Sequence, residues 1–525
     1  MYFVVAHKNK KEQLLIVRSK IEIIQRIIGR QNGKWHHFKQ KQEIFLNKDG
    51  QSNTSKIKEH PYATDLDIFG KNSLFQFMNE ANTYYGIGIL TEMLTVREDL
   101  QTILYRQAAA EELSEKVDFY QELLAYGNIN NINKDPQKLI SFLEQKNTKL
   151  FNILKYVYVF PAALIISAIT FLIWPSQNML FIITTIILIQ GLIFAAFLPK
   201  TSPILSILYG NNRSLRNFKS ITSLIEAQTF KSPLNTKMQS FLSNNASKFI
   251  GRLSFIESAA NLRNSMIIFL ALNFLFLWDI LLVVSLEKLK GQGNIKVWLK
   301  TIGFFEAMAS VANINVTFQD WVTPKFDDTL SFTAASHPLL ANPVANDYNH
   351  ISISIITGSN MSGKTTFLRT IGINLVLANM GAKVRAKSFT APIVDIYTCM
   401  RTTDSLTENI STFYGELQRI KLIINRASSS SPMLFLIDEI FRGTNSEDRI
   451  TGAKMVLRKL NQPHIIGLIT THDLSICDIS IEGGYKNYNF REYYEENEIK
   501  FDYKIREGVS TTRNAMYLMK LVGIE

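Results

Sequence analysis

The chain has 525 residues, of which 46% are hydrophobic and 19% charged, with a formal charge of +12. That length allows two or three domains, and an apolar share ordinary for a water-soluble protein puts most of the chain outside any bilayer. Two cysteines, Cys399 and Cys477, exclude a disulfide or cysteine–metal framework and fit a reducing cytosol.

The opening MYFVVAHKNKK carries an apolar run too short for a secretory signal peptide. Leu14, Leu15, Val17, Ile21, Ile24 and Ile28 follow at helical spacing, with Gly29 as the expected stop. This predicts a helix packed on a core by that face and solvated on the other. Residues 1–60 hold thirteen Lys and Arg against five Asp and Glu. Such an excess also suits anionic lipid or nucleic acid. Trp35, His36, His37 and Phe38, set among Lys34, Lys39 and Lys41, suit base stacking and an interfacial anchor equally. The polar stretch Asn47–Lys58 reads as a linker.

From Tyr156 to Pro199 there are 44 consecutive residues without Asp, Glu, Lys, Arg or His. One transmembrane helix needs about 20 apolar residues. Two fit here, Tyr156–Trp174 and Met179–Leu198, joined by the polar turn Pro175-Ser176-Gln177-Asn178. Neither shows the polar face of a soluble helix, so a membrane hairpin through 156–198 is expected rather than a buried core hairpin. Tyr156, Tyr158 and Trp174 fall near its interfaces. Lys146, Lys149 and Lys155 precede it and Lys200 follows, while the turn is uncharged. Positive residues stay inside, which predicts a protein of the inner (cytoplasmic) membrane with both arms in the cytoplasm.

A third apolar stretch, Ser265–Leu286, carries Asp279 and Asn273. A third crossing would separate the two arms, and a central charge costs about 2.5–3.5 kcal/mol on insertion scales. It is therefore expected to be a buried core helix, with a re-entrant or membrane-surface helix as the alternative.

Residues 358–366 read Gly-Ser-Asn-Met-Ser-Gly-Lys-Thr-Thr after the apolar, β-branched run Ile351–Thr357. A strand turning through Gly358 and Gly363 into a helix leaves backbone N–H groups converging on one point. The loop Gly358, Ser359, Asn360, Met361, Ser362, Gly363, Lys364, Thr365 and Thr366 is thus predicted to bind ATP. Lys364 would reach the β- and γ-phosphates, and Thr365 would hold Mg²⁺. A second apolar strand, Met433–Ile437, delivers Asp438 and Glu439 at its carboxyl end, the edge where parallel α/β sheets gather ligands. Asp438 is expected to hold the metal through water, and Glu439 to orient or deprotonate the attacking water. A third strand, Ile465–Thr470, leads to His472, placed to contact the γ-phosphate.

These motifs resemble the MutS ATPases. Gly358–Thr366 is similar to their GPNMGGKST, and Asp438-Glu439-Ile440-Phe441-Arg442-Gly443-Thr444-Asn445 to their DEIGRGT segment. Asp404-Ser405-Leu406 with Ser411-Thr412-Phe413 and Glu416 resembles the MutS signature segment. His472 falls on the family's switch histidine, and His337-Pro338 on its His-Pro. Ser73-Leu74-Phe75 through Gly86, and Arg106-Gln107-Ala108 through Leu113, look like the helical core. The resemblance covers roughly 65–125 and 300–525. It implies a homodimer with composite ATP sites, in which Ser411-Thr412 of one chain meets the γ-phosphate held by the other.

Departures are as informative. Phe441 and Ser362 stand where the family has glycines, and Gly381-Ala382-Lys383-Val384-Arg385-Ala386 keeps only part of its GxxVPA segment. About 60 residues precede the core-like region, too few for mismatch-reading and connector domains, and a Phe-x-Glu probe occurs only in misplaced tripeptides such as Phe304-Phe305-Glu306. The chain stops at Gly523-Ile524-Glu525, where a helix-turn-helix tail is expected. The hairpin lies where MutS proteins carry long helices and a DNA clamp.

The expected fold is an α/β P-loop (ABC-type) ATPase domain at the C-terminus, preceded by an all-α MutS-core-like domain interrupted by a transmembrane helical hairpin. The expected boundaries are 1–60, 61–150, 151–204, 205–326 and 327–525. The expected function is a membrane-anchored, mismatch-repair-like, DNA-binding ATPase whose DNA contacts are phosphate-directed and indifferent to mismatches. The alternative is a membrane-bound, ATP-driven switch acting on a protein partner. A transporter ranks third, because the two short helices offer no intramembrane charge.

Overall fold

Helices make up the described chain as far as Thr317, and strands enter only from Lys325 onward. The structure, a computed structural model, describes residues 2–39, 41, 44, 60–129, 135–145, 154, 156–208, 214–242, 245–350, 352–400, 412–429, 431–441, 445–495 and 498–510. The expected linker at 47–58, the lysines at 146, 149 and 155, and the chain end after 510 lie outside the described residues.

The helix Ile295–Thr317, with 19 of its 23 residues buried, forms the centre of the helical part. It packs on Tyr84–Thr95 and Leu100–Glu115. Gly303 makes the close approach possible, since a Cβ there would stand 2.6 Å from the Gly86 nitrogen. Two carboxylates are enclosed. Glu306 accepts from the Thr83 nitrogen at 3.0 Å, the Asn82 nitrogen at 3.4 Å and the Thr83 hydroxyl, and burial raises its pKa. Glu80 pairs with Arg26 and Arg30 and accepts from Asn313 Nδ2 at 3.3 Å. Segments on either side of the long apolar insertion therefore share one core.

The first helix, Tyr2–Gln31, runs through Gly29 rather than stopping there. Its buried residues are Ser19, Ile23 and Arg30, while Leu14, Val17, Ile21, Ile24 and Ile28 are about half exposed. The expected packing face is thus turned outward. Polar anchors on the other side set the rotation: Arg26 and Arg30 to Glu80, and Asn128 Nδ2 to Ser19 Oγ at 3.1 Å and Glu22 at 2.9 Å. Leaving those groups unpaired in a core would cost more than exposing five half-covered aliphatic side chains. Trp35 is also a core residue, 2% exposed and edge-on to Phe77 at 5.3 Å, so it is neither a stacking platform nor an interfacial anchor.

The hairpin forms as helices Val159–Ile173 and Gln177–Ser206, with the Ser176 hydroxyl accepting from the Met179 nitrogen at 3.2 Å as N-cap. The second helix is long and apolar enough to cross a membrane, and only 17% of its most apolar window is buried. The first, at 15 residues, is about 22 Å long against a hydrocarbon core of about 30 Å.

The third apolar stretch is not one buried helix. It breaks at Leu277 (φ 49°) into Met266–Phe276 and Trp278–Lys288. The latter is buried as expected, but the former packs on the hairpin with Met266 and Ile267 bare. The path bends by 117° between Ala246–Asn264 and Met266–Phe276. Asn273 Oδ1 accepts from the Asp279 nitrogen at 3.0 Å across the break, and Asp279 pairs with Arg263 at 3.0 Å. Asn273 is thereby hydrogen-bonded and the Asp279 charge has a counter-ion at the bend, where a straight helix would have pointed both into apolar packing.

In the α/β part, β1 (Lys325–Phe326), β2 (Leu330–Ala335), β3 (Asn346–His350) and β5 (Ser388–Ala391) form a sheet of order β1-β5-β2-β3. The larger sheet joins β4 (Ile353–Thr357), β6 (Asp395–Cys399), β7 (Met433–Asp438), β8 (Ile465–Thr471), β9 (Tyr485–Glu495) and β10 (Glu498–Glu507) in the order β10-β9-β4-β8-β7-β6. All its pairings are parallel except β9 with β10. Along β7, Leu434 and Leu436 join one apolar cluster with Leu368 and Ile371 of the helix Lys364–Asn379. Met433, Phe435 and Ile437 join the other, with Ile423 and Leu457 of helices Thr412–Ala427 and Ser446–Leu460. Covered on both faces, the strands read as continuous apolar runs.

Candidate functional site

β4 ends at Thr357, and the chain turns at Gly358 (φ 148°) and Gly363 (φ 104°) into the helix Lys364–Asn379. A Cβ on Gly358 would lie 2.9 Å from the Phe490 carbonyl oxygen, so both conformation and space require glycine. Asn360, Met361 and Thr366 are exposed, whereas Ser362 is buried. The Ser359 hydroxyl donates to Glu492 Oε2 at 2.8 Å, fixing the loop against β9. Lys364, 4% exposed, donates to the carbonyls of Gly358 at 2.9 Å and Ser359 at 2.8 Å. Its ammonium thus lies over the loop at a helix N-terminus whose first N–H groups lack intrahelical partners.

The parallel register brings the acids to the same edge. The Thr365 hydroxyl donates to Asp438 Oδ2 at 2.7 Å, and the Thr470 hydroxyl donates to Oδ1 at 2.6 Å. Thr470 also receives the Glu439 nitrogen at 3.0 Å, and Glu439 Oε1 lies 2.8 Å from His472 Nε2. His472 in turn stands 3.4 Å from Lys364 Nζ. Arg449 grips Asp473 through Nε at 2.6 Å, fixing the turn that carries His472. The Thr365 hydroxyl and the Asp438 carboxylate stand side by side, oxygen donors that suit an ion which keeps most of its waters. Mg²⁺ binds in that way.

Phe441 and Glu439 both have positive φ, 61° and 55°. The Phe441 position thus has the backbone of a glycine, and its ring is accommodated because Gly452 has no Cβ, one there falling 2.9 Å from the ring. The Glu416 carboxylate accepts from the Phe441 nitrogen and stabilises the turn. Ser362, at the other departure from a glycine, is buried, and its hydroxyl has no hydrogen-bond partner among the described residues.

Beside the loop, a cavity of about 170 Å³ is lined by His337, Gly363, Thr366, Phe490 and Tyr503 among others. Burial, aided by Arg369, pushes the His337 imidazole down to about 4. Burial pushes both thiols, Cys399 and Cys477, up to about 12.

Lys364, Thr365, Asp438, Glu439 and His472 therefore converge. Ser411, Asp404-Ser405-Leu406 and Arg442-Gly443-Thr444 lie outside the described residues, as does the side chain of Thr412. Sequence reasoning passed over Thr470, Glu492 and two acids of the helical part. Asp65 Oδ2 accepts from the Thr398 hydroxyl at 2.7 Å and the Met400 nitrogen at 3.0 Å. Asp67 pairs with Arg369 at 2.7 Å, on the helix that follows the loop. Only the position of Thr470, next to the strand end that leads to His472, could have signalled it.

Residues 354–525 match the family profile MutS domain V. The α/β part of the chain is thus similar to MutS domain V. Over 230 residues the chain is 33% identical to the MutS protein homolog 4 of Mus musculus, covering 41% of this chain and 24% of that protein. The DNA mismatch repair protein MutS of Leptospira interrogans is 30% identical over 254 residues, 45% of this chain and 30% of that one. An Endonuclease MutS2 of Streptococcus equi is 32% identical over 203 residues, 38% and 26% of the two chains. The chain spans under a third of the length of these curated relatives.

Proposed function

We propose that this chain is a membrane-anchored, Mg²⁺-dependent ATPase of MutS type, with a P-loop (ABC-type) nucleotide domain. The observation that carries this reading is the hydrogen-bonded line Thr365–Asp438–Thr470–Glu439–His472 beside the Lys364 loop. Gly358–Thr366 receive the phosphates on backbone N–H groups, and Lys364 neutralises charge on the β- and γ-phosphates. Thr365 and Asp438 would hold Mg²⁺, which would supply further neutralisation of phosphate charge. Glu439 accepts the proton as a water oxygen attacks the γ-phosphorus and the bond to the bridging oxygen of ADP breaks. His472, bonded to Glu439, keeps that carboxylate aimed and contacts the γ-phosphate. Two chains complete each site, with Ser411-Thr412 supplied in trans.

Residues before and after the hairpin share one core, which supports an even number of crossings. This fits both arms lying in the cytoplasm of an inner-membrane protein, the same side as ATP.

Glu439→Gln tests the chemistry. Removing a positioned general base costs about 10²–10⁴ in rate, so hydrolysis should fall that far while nucleotide affinity is kept and the dimer persists. Wild-type turnover in the variant would refute the assignment of the base, and hydrolysis by isolated wild-type monomers would refute the composite site.

For the coupled partner, the MutS relatives favour DNA. A specific observation favours the second reading, a membrane-bound switch acting on a protein. Arg26 and Arg30 of the basic N-terminal segment are engaged with Glu80, and Lys41 donates to the Ala81 carbonyl and Asn82 Oδ1, each at 2.9 Å. These three cations are not offered to phosphate. Stimulation of ATP turnover by duplex DNA, compared with anionic vesicles, separates the two readings.

A further inference from the structure

Helices Ser214–Glu226, Ala246–Ala260 and Trp278–Lys288 enclose an open cavity of about 740 Å³ far from the nucleotide loop in sequence. Four cations line it: Lys219, Lys248, Arg252 and Lys288. No acidic side chain lines it, and among the described residues none of the four makes an ion pair. The floor is apolar, with Leu282 buried beneath, and Phe255 forms one wall at 72% exposure. Four uncompensated cations over an apolar floor call for a ligand that is anionic at one end and aliphatic at the other.

Its place in the fold narrows the class. Leu277, with Ile280 and Val284 of the helix Trp278–Lys288 that follows it, packs on Phe194, Phe197 and Leu198 of the hairpin. Lys288 follows Val284 by one helical turn, about 6 Å. At the same end of the hairpin Lys200 lies over the Phe197 ring at 5.4 Å, as a cation does where hydrocarbon gives way to water. Helix Ala246–Ala260, with Lys248 and Arg252, leads through the turn Asn261–Asn264 to the bare apolar segment Met266–Phe276. On the membrane-anchored reading the cavity opens at headgroup depth, beside hydrocarbon, where basic pockets between helices take anionic lipid headgroups.

We propose that this groove is a binding site for an anionic phospholipid, with the phosphate on Lys219, Lys248, Arg252 and Lys288 and an acyl chain over Phe255 and Leu282. The proposal rests on the membrane-anchored reading given above. Duplex DNA, which shares the phosphate chemistry, has no aliphatic part for the floor.

The test uses the full-length chain reconstituted in vesicles of phosphatidylcholine containing one-fifth phosphatidylglycerol. Lipid that co-purifies after mild re-extraction is quantified. Wild type should enrich phosphatidylglycerol at least tenfold over its vesicle fraction. The quadruple variant Lys219→Gln, Lys248→Gln, Arg252→Gln, Lys288→Gln should lose that enrichment, and Phe255→Ser, at an exposed site that folding does not need, should weaken it severalfold. Glycerol phosphate at millimolar concentration should not displace the lipid. Equal enrichment in wild type and both variants, or none in wild type, overturns the proposal. So does displacement of the lipid by duplex DNA or by glycerol phosphate. Alkaline extraction from pure phosphatidylcholine vesicles separates the two levels. Release there refutes the membrane anchor itself, whereas retention without phosphatidylglycerol enrichment refutes the groove alone.

Discussion

The candidate site around Lys364 and the apolar helices were read from the same chain by different signals, and the structure treats the two readings differently. At the candidate site each of the converging side chains sits at the end of a strand or the start of a helix, so local order along the chain places it. Parallel register then aligns Asp438 with Thr470 and Thr357 with Thr471, and the chemistry assembles with few long-range choices. In the helical region the signal is amphipathic or apolar periodicity. That declares a helix but not which side faces in, nor where an all-apolar run will break. The difference teaches that motif position survives folding intact, while facing is decided by partners distant in sequence.

The largest expected effect attacks a partner no motif marked. Glu80→Ala leaves Arg26 and Arg30 facing a buried gap, and breaking a buried ion pair costs about 3–5 kcal/mol. Denaturant unfolding of the full chain should show that loss, and a change below about 1 kcal/mol would mean that the first helix is not anchored there. The hairpin gives the next largest effect. Leu188 is 67% exposed in the middle of Gln177–Ser206, and an arginine at a bilayer centre costs about 2.5–3.5 kcal/mol. Leu188→Arg should shift the chain out of vesicles after reconstitution, whereas a helix merely exposed to water would gain solubility and keep its fold.

Within the site, Thr470→Val removes one hydroxyl bonded to both Asp438 and the Glu439 backbone. A loss of about 1.4 kcal/mol corresponds to about tenfold in rate, and it should appear in turnover with nucleotide affinity little changed. The smallest effect is a pH dependence. His337 stays neutral in the fold down to about 4, whereas an unfolded histidine protonates near 6.5. The unfolded state therefore binds more protons between those values, and stability falls as pH drops through that window. Between pH 8 and 6 the loss should be below about 1 kcal/mol, and His337→Gln should flatten that part of the curve.

The loop Gly358–Thr366, the acids at the β7 end and the histidine beyond β8 were legible because apolar strands frame them. Residues 265–286 were half legible: their apolar content signalled burial, but the break at Leu277 depends on Asn273 capping the Asp279 nitrogen, a contact across the bend. The first helix was predicted as a helix and assigned the wrong inner face. Five aliphatic residues on one side lost to Arg26, Arg30, Ser19 and Glu22 on the other, whose partners Glu80 and Asn128 lie beyond the reach of any local pattern. Glu492 and Asp67 were invisible for the same reason. Each reaches the nucleotide loop or its helix only once distant segments have met.

The helix Lys364–Asn379 begins at the phosphate loop, and just past its other end Gly381 stands so close to the helical core that a Cβ there would lie 2.7 Å from Arg106 Cβ. At 16 residues it is a rod about 24 Å long, and a tilt of about 5° at its phosphate end sweeps the far end through about 2 Å. Gly372, whose absent Cβ would meet Leu66 at 2.7 Å, sits midway along that rod as a bearing surface, and the Arg369–Asp67 pair stands beside it as a tether. Any tilt of this rod therefore meets the helical core at Leu66 and Arg106 with no gap between them.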